Sequence, residues 1–250
     1  MSEAPMSSRA AGESRATIVL IHGAWADGSS WNGVIPLLSG DGFTVRVPPN
    51  LLRSLANDAA NVAEFLSTID GPIVLVGHSY GGAVITNAAT ANDQVKALVY
   101  VDAFAPDEGE AVFPLAGAES AAAADPTTVF DFVPYPGSPD GDVDLYLKRS
   151  LFVPTFASGV ATEMAEILYA TQRPLSLSAG NAPSGAPAWK TIPSWYVLGT
   201  SDKIITPAQQ QLMAERATST ITRVGAGHLS MISHPDVVSD AIRQAAVHVR

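Results

Sequence analysis

The stretch IVLVGHSYGGAVITNAAT, residues 73 to 90, constrains this chain more than any other. Its first half is an apolar run of the kind found in strands buried on both faces, and its second half reads as a helix. Ser79 stands at the joint, with Gly77 and Gly81 two residues away on either side. A strand that turns directly into a helix needs a tight bend, and glycines at those positions let neighbouring backbone approach where a Cβ would collide. The bend strains the serine backbone and projects its hydroxyl at the carboxyl end of the sheet. There it sits beside the positive end of the helix, where an oxyanion is favoured. A serine that merely caps a helix is the bland reading; the G-x-S-x-G spacing between a strand and a helix favours an exposed nucleophile.

The rest of the chain continues the alternation. Short apolar runs predict parallel strands at TIVLI (17 to 21), TVRV (44 to 47), KALVYV (96 to 101), SWYVLG (194 to 199) and TITRV (220 to 224). Between them lie helical patterns. SWNGVIPLLSG spaces Trp31, Ile35 and Leu38 by four and three, and Leu55, Ala59, Val62 and Phe65/Leu66 share one face after Ser54 as N-cap. Two further helices start with a proline just inside, at Pro207 and Pro235, where the missing N–H does no harm. The expected fold is therefore α/β, a mostly parallel, doubly wound sheet of about six strands. Residues 105 to about 190 break the pattern. They show no convincing strand, two helical stretches around 142 to 152 and 157 to 170, and aromatics too numerous for a disordered linker. A mainly helical cap over the end of the sheet is expected there. Residues 17–250 then form one domain, preceded by a flexible tail over 1–16.

Composition excludes several classes of function. The 250 residues carry 14 Lys and Arg against 24 Asp and Glu, a formal net charge of −10, and no basic run. Such a surface repels phosphate backbones and anionic lipid, so neither nucleic acid nor a membrane is an expected partner. With no cysteine there is no disulfide framework, thiolate nucleophile or Cys-based zinc site. The opening residues lack the apolar core of a secretory signal, and a soluble, cytoplasmic protein is the expectation. A homodimer is compatible with this length and charge.

A serine hydroxyl needs a base within hydrogen-bond reach. Of five histidines, His22 and His78 flank glycines in turns, His234 precedes Pro235, and His248 lies near the end of the chain. His228, in VGAGHLSM, follows the last strand and so falls at the same sheet edge as Ser79. The base needs a carboxylate to fix its tautomer. Asp202 and Asp102 both end strands on that edge; Asp202 is favoured because it follows the strand before the histidine's own, and Asp102 remains the alternative. The tetrahedral oxyanion needs two backbone donors. Tyr80 N–H follows the nucleophile, and Ala24 N–H, or less readily Trp25 N–H, can come from the loop after the first strand.

Taken together, HGAW, GHSYGG, TSDKII and AGHLSM resemble the α/β-hydrolase superfamily, and within it the compact, capped group of plant methylesterases and hydroxynitrile lyases. The resemblance spans most of residues 17–250. It implies a Ser79, Asp202 and His228 triad, Ala24 and Tyr80 as oxyanion donors, and no metal or organic cofactor. The lyases of the group typically carry threonine in place of Gly23 and lysine in place of Leu229, so the resemblance points to the esterase branch. Nothing before TIVLI supplies the extra first strands of many superfamily members.

The expected reaction is hydrolysis of a small or aromatic carboxylic ester through an acyl-enzyme, with activity rising as His228 loses its proton. Trp25, Phe104, Phe152 and Leu229 are candidates for an apolar pocket around the ester. Two other classes use the same frame. A receptor-like member would bind a ligand and signal through cap movement, and a cofactor-free lyase would use the same triad.

Overall fold

A computed structural model describes residues 15–139 and 141–249. Most of the tail expected over residues 1–16 lies outside the described residues.

Among the described residues there are nine strands: β1 (Thr17–Ile21), β2 (Thr44–Arg46), β3 (Ile73–His78), β4 (Val95–Val101), β5 (Phe130–Val133), β6 (Asp144–Leu147), β7 (Leu175–Ser176), β8 (Ser194–Gly199) and β9 (Thr220–Val224). Six of them form one parallel sheet in the order β2-β1-β3-β4-β8-β9. Every residue of β3 and β8 is buried, which is why those segments read as unbroken apolar runs. The edge strands β2 and β9 have exposed polar positions at Thr44, Arg46, Thr220 and Arg223, and read as mixed.

The strand order reverses between β1 and β3. The chain leaves β1 toward β2 in one direction and then steps from β3 to β4, β8 and β9 in the other. Right-handed crossovers therefore put helix α1 (Val34–Gly40) on one face and helices α2 (Leu55–Ser67) and α3 (Tyr80–Ala88) on the opposite face. Helix α1 packs on the final helix Pro235–His248, and α2 packs on α3. Such a reversal opens a crevice beyond the carboxyl ends of the two central strands. The loop after β1 and the turn after β3 meet there.

Helix α2 buries Leu55, Ala59, Val62 and Leu66 as its spacing implies. Ser54 occupies its N-cap position, but the side chain makes no capping bond; only its carbonyl accepts, from Asp58 N–H at 2.7 Å.

The segment between β4 and β8 corrects the expectation of a cap without strands. It contains a three-stranded antiparallel sheet, β5-β6-β7, in addition to the helix Thr162–Ala170 and several short turns of helix. The helical stretch expected at 142 to 152 is β6 followed by a turn at Arg149–Leu151. The alternation explains it: Leu145 and Leu147 point into the core one residue apart, with Tyr146 between them half-buried, a period of two and not of 3.6. Asp144 is also buried and is paired with Arg53.

Candidate active site

Ser79 has φ 52° and ψ −123°, a backbone conformation that an L-residue holds only when its surroundings enforce it. Three backbone hydrogen bonds do so: Ser79 N–H donates to Val101 O at 3.3 Å, and Ser79 O accepts from Gly82 N–H at 2.9 Å and Phe104 N–H at 3.1 Å. The flanking glycines are required by contact. A Cβ at Gly77 would lie 2.5 Å from Gly81 O, and one at Gly81 would lie 2.6 Å from Ile21 O. The elbow is thus wedged between β1 and β4, with no room for a wider turn.

At its tip, Ser79 Oγ lies 2.9 Å from His228 Nε2, and His228 Nδ1 lies 2.7 Å from Asp202 Oδ2. The carboxylate can only accept, so Nδ1 carries the proton and Nε2 presents its lone pair to the serine hydroxyl. Asp202 is itself fixed from three sides, accepting from Ile204 N–H at 2.7 Å, Ile205 N–H at 3.1 Å and Gln210 Nε2 at 2.7 Å. Both Asp202 and His228 are buried. Burial lowers the imidazole from its ordinary 6.5 to about 3, so His228 is a neutral acceptor.

Asp102 is not on the histidine. Its Oδ2 accepts from Ser230 N–H at 3.0 Å, two residues beyond His228, while its buried Oδ1 has no partner among the described residues. Burial, reinforced by the nearby Asp202, pushes the Asp102 carboxyl well above its usual range.

The loop after β1 runs close against the elbow. A Cβ at Gly23 would lie 2.6 Å from Ser79 Cβ and 2.8 Å from His78 O, so this backbone excludes any side chain there, threonine included. That closeness sets Ala24 beside Ser79, and Ala24, Ser79 and Tyr80 line one cavity. Among the described residues, neither Ala24 N–H nor Tyr80 N–H has a protein acceptor. Trp25 N–H, the less favoured donor, is taken by Arg173 O at 2.9 Å.

Three buried side chains brace this arrangement. Tyr80 Oη donates to Asp58 Oδ2 on α2 at 2.7 Å, and His78 Nε2 donates to His228 O at 2.8 Å. His22 Nδ1 donates to Gly23 O at 2.9 Å, which leaves its Nε2 to accept from Asn50 N–H at 3.2 Å; burial lowers this imidazole to about 4.

The cavity beside Ser79 is about 20 Å³ and apolar, walled by Trp25 and Phe104 and, from the cap and elsewhere, by Phe113, Ala116, Ala122, Leu175 and Ile204. Phe152 and Leu229, expected to line it, do not. Phe152 is buried against Phe156 and Tyr169 inside the cap, and Leu229 is buried beside His228 without reaching the cavity wall. Of the cap residues that do line it, Phe113, Ala116 and Ala122 lie in AVFPLAGAESAAAAD, a stretch with little chemical signature, and Leu175 begins β7. Beyond Phe113, Ala116 and Ala122 lies a second, more open chamber of about 330 Å³, also lined by Phe130, Phe132 and Leu145. Among the described residues no cluster of His, Asp and Glu could hold a metal ion, and no helix is long and apolar enough to cross a membrane.

The family model described as "Alpha/beta hydrolase family" matches residues 18–241. The chain belongs to the α/β-hydrolase family. A curated relative of this hydrolase is a pyrethroid hydrolase of Sphingobium wenxiniae, 27% identical over 247 residues that cover 92% of this chain and 87% of the relative. A carbendazim hydrolyzing esterase of a Nocardioides strain is 32% identical over 113 residues, 40% of this chain; that match spans only about half, 47%, of the esterase. Among solved structures, polyneuridine aldehyde esterase superposes with a TM-score of 0.78 at 20% identity, covering 92% of this chain and 99% of that one. An Arabidopsis methylesterase gives 0.73 at 18%, covering 93% and 99%. At these identities the superpositions speak to the fold alone.

Proposed function

We propose that this α/β-hydrolase is a serine esterase that cleaves a small or aromatic carboxylic ester through an acyl-enzyme on Ser79. The observation that carries the reading is the continuous hydrogen-bonded line from Ser79 Oγ through His228 to Asp202, both links under 3 Å, at the tip of a strained turn. The esterase and hydrolase relatives support the same reaction class.

In this mechanism Ser79 Oγ attacks the ester carbonyl carbon while His228 Nε2 takes its proton. The resulting imidazolium is stabilised by Asp202. The carbonyl oxygen becomes an oxyanion that accepts from Ala24 N–H and Tyr80 N–H, the two donors with no protein acceptor. The tetrahedral adduct collapses as Nε2–H protonates the departing alcohol, and a water activated by the same nitrogen releases the acid. Ester cleavage fits better than cyanide elimination. The residue after the base is Leu229, with no cation to stabilise a departing cyanide, and Gly23 has no space for the threonine of the lyases.

Apolar walls on both chambers favour an ester whose acyl and alcohol groups are uncharged. Arg149, a cap arginine able in principle to hold a charged acyl group, is instead paired with Glu166 on the surface.

Intact mass after a small fluorophosphonate, with p-nitrophenyl acetate turnover on the same samples, tests the reading. One adduct on the wild type, and neither adduct nor turnover in Ser79→Ala, is the expected result. A folded wild type that takes no adduct would sink it; an adduct without turnover on any ester would favour the receptor-like alternative.

A further inference from the structure

Trp25 follows the proposed oxyanion donor Ala24, and the cap holds it at both ends. Its backbone N–H donates to Arg173 O at 2.9 Å, and its indole Nε1–H donates to Leu145 O at 2.8 Å. Both acceptors belong to the segment between β4 and β8; Leu145 lies in the middle strand of the cap sheet and Arg173 just before β7. Between these anchors the indole stacks on Phe130 at 5.7 Å and meets the edge of Phe156 at 5.9 Å. Phe156 in turn packs on the His228 ring at 5.2 Å.

Trp25 also has φ 56°, in the left-handed region that a bulky side chain avoids. Such a conformation persists only while its surroundings over-determine it. Here both hydrogen bonds and both aromatic contacts of Trp25 reach across to the cap. The cavity at Ser79, about 20 Å³, exceeds only slightly the roughly 10–15 Å³ that a single water needs, so it has no room for an ester while the cap is seated. Substrate entry therefore requires the cap to move. When it does, Trp25 loses its two acceptors and its aromatic partners together, and the peptide that presents Ala24 N–H is no longer fixed.

We infer that Trp25 is a positioning residue that couples seating of the cap to assembly of the oxyanion hole. The inference builds on the esterase reading. It gives the cap a function beyond enclosing the substrate: the hole forms only on a substrate that lets the cap close, an induced-fit contribution to specificity. Trp25 touches no reacting atom in this scheme and acts through Ala24.

The test is Trp25→Phe, which keeps a ring between Phe130 and Phe156 and deletes the indole N–H. Hydrogen exchange followed by mass spectrometry on peptides covering residues 22–31 and 143–148 should show both segments exchanging faster in the variant, by several-fold. The kcat for p-nitrophenyl butyrate should fall roughly ten- to hundredfold with KM within about twofold, because a misplaced donor weakens only the transition state. Unchanged exchange in residues 143–148, or a loss confined to KM, overturns the coupling. Should Trp25→Phe fold poorly, the wild type decides: a trifluoromethyl ketone that fills the hole should slow exchange in both segments together, and slowing in residues 22–31 alone overturns the coupling. Coupled exchange in a wild type that turns over no ester leaves the clasp standing and defeats the esterase reading instead.

Discussion

His78 Nε2 donates to the main-chain carbonyl of His228 at 2.8 Å, and the two rings pack 4.9 Å apart. The residue immediately before Ser79 thus holds the loop that carries His228. His78 is fully buried and its Nδ1 has no partner, so the neutral Nε2–H tautomer is the one that fits; burial pulls its pKa well below 6.5. Ser79 and His228 are registered through this contact as well as through their own hydrogen bond, since His78 ends β3 next to Ser79 and the loop after β9 carries His228.

Replacing His78 separates this bracing from packing. His78→Phe fills similar space but leaves the buried His228 carbonyl unpaired, and should destabilise the fold by about 1–3 kcal/mol. His78→Gln retains an amide donor and should recover part of that loss along with part of kcat. Urea unfolding midpoints and kcat for both variants check the ordering; equal effects from the two would show that only ring volume matters.

Asp202 and Asp102 should behave differently under the same substitution. Asp202→Asn keeps the volume but removes the carboxylate that fixes the His228 tautomer, and should lower kcat by about ten-thousandfold with little change in far-UV circular dichroism. Asp102→Asn keeps an acceptor for Ser230 N–H and leaves the Asp202–His228 hydrogen bond untouched, so most activity should survive. Parallel kcat measurements decide the matter, and the reverse ranking would reassign the acid.

How much of this was legible in sequence depends on how local each constraint is. The elbow is legible because its bend, its glycines and its flanking strand and helix lie within one stretch of chain. His228 and Asp202 can be placed near Ser79 because parallel strands with right-handed crossovers bring every strand end to one edge. The cap sheet is not legible. Its strands have four residues or fewer, and its pairings join Phe130 to Leu147 and Leu145 to Leu175 across intervening loops. The Trp25 clasp is hidden for a different reason: it uses the carbonyls of Leu145 and Arg173, a group every residue carries. Bracing by Asp58 is equally silent, because a buried aspartate on a helix resembles a solvated one until its partner, Tyr80, is known.

The pH dependence has a definite sign. His228 must be neutral to accept the Ser79 proton, and burial depresses its pKa, so the neutral form persists below 6.5. The acid limb of kcat/KM should therefore have its midpoint below 6.5, and activity should be level from there to neutrality. Stability behaves in the same sense: His22 titrates at 6.5 unfolded and about 4 folded, so the unfolded state binds more protons between those values. Stability from this group is complete above 6.5 and is lost as pH falls toward 4, on the order of 3 kcal/mol in all. In His22→Gln the difference between urea midpoints at pH 7 and pH 5 should shrink; an undiminished difference would assign it to other groups.

Phe113 divides the small chamber at Ser79 from the larger one outside it, since its side chain, with Ala116 and Ala122, lines both. Its ring rests directly on Gly180, where a Cβ would fall 2.1 Å from Phe113 Cε2, so the ring cannot retreat in that direction without moving the chain at Gly180. Removing it should merge a cavity of about 20 Å³ with one of about 330 Å³. Phe113→Ala should then lower KM for a bulky aromatic ester such as a p-nitrophenyl naphthoate by about tenfold relative to p-nitrophenyl acetate, whose small acetyl group needs less of the added space. Lost packing should reduce stability by about 2 kcal/mol, less than for a fully buried phenylalanine because Phe113 is only partly buried. The comparison of the two esters isolates the partition from that general loss, because a merely loosened fold would alter both substrates alike. An unchanged ratio would mean that the acyl group reaches Ser79 by another route, and that the outer chamber is no part of the substrate site.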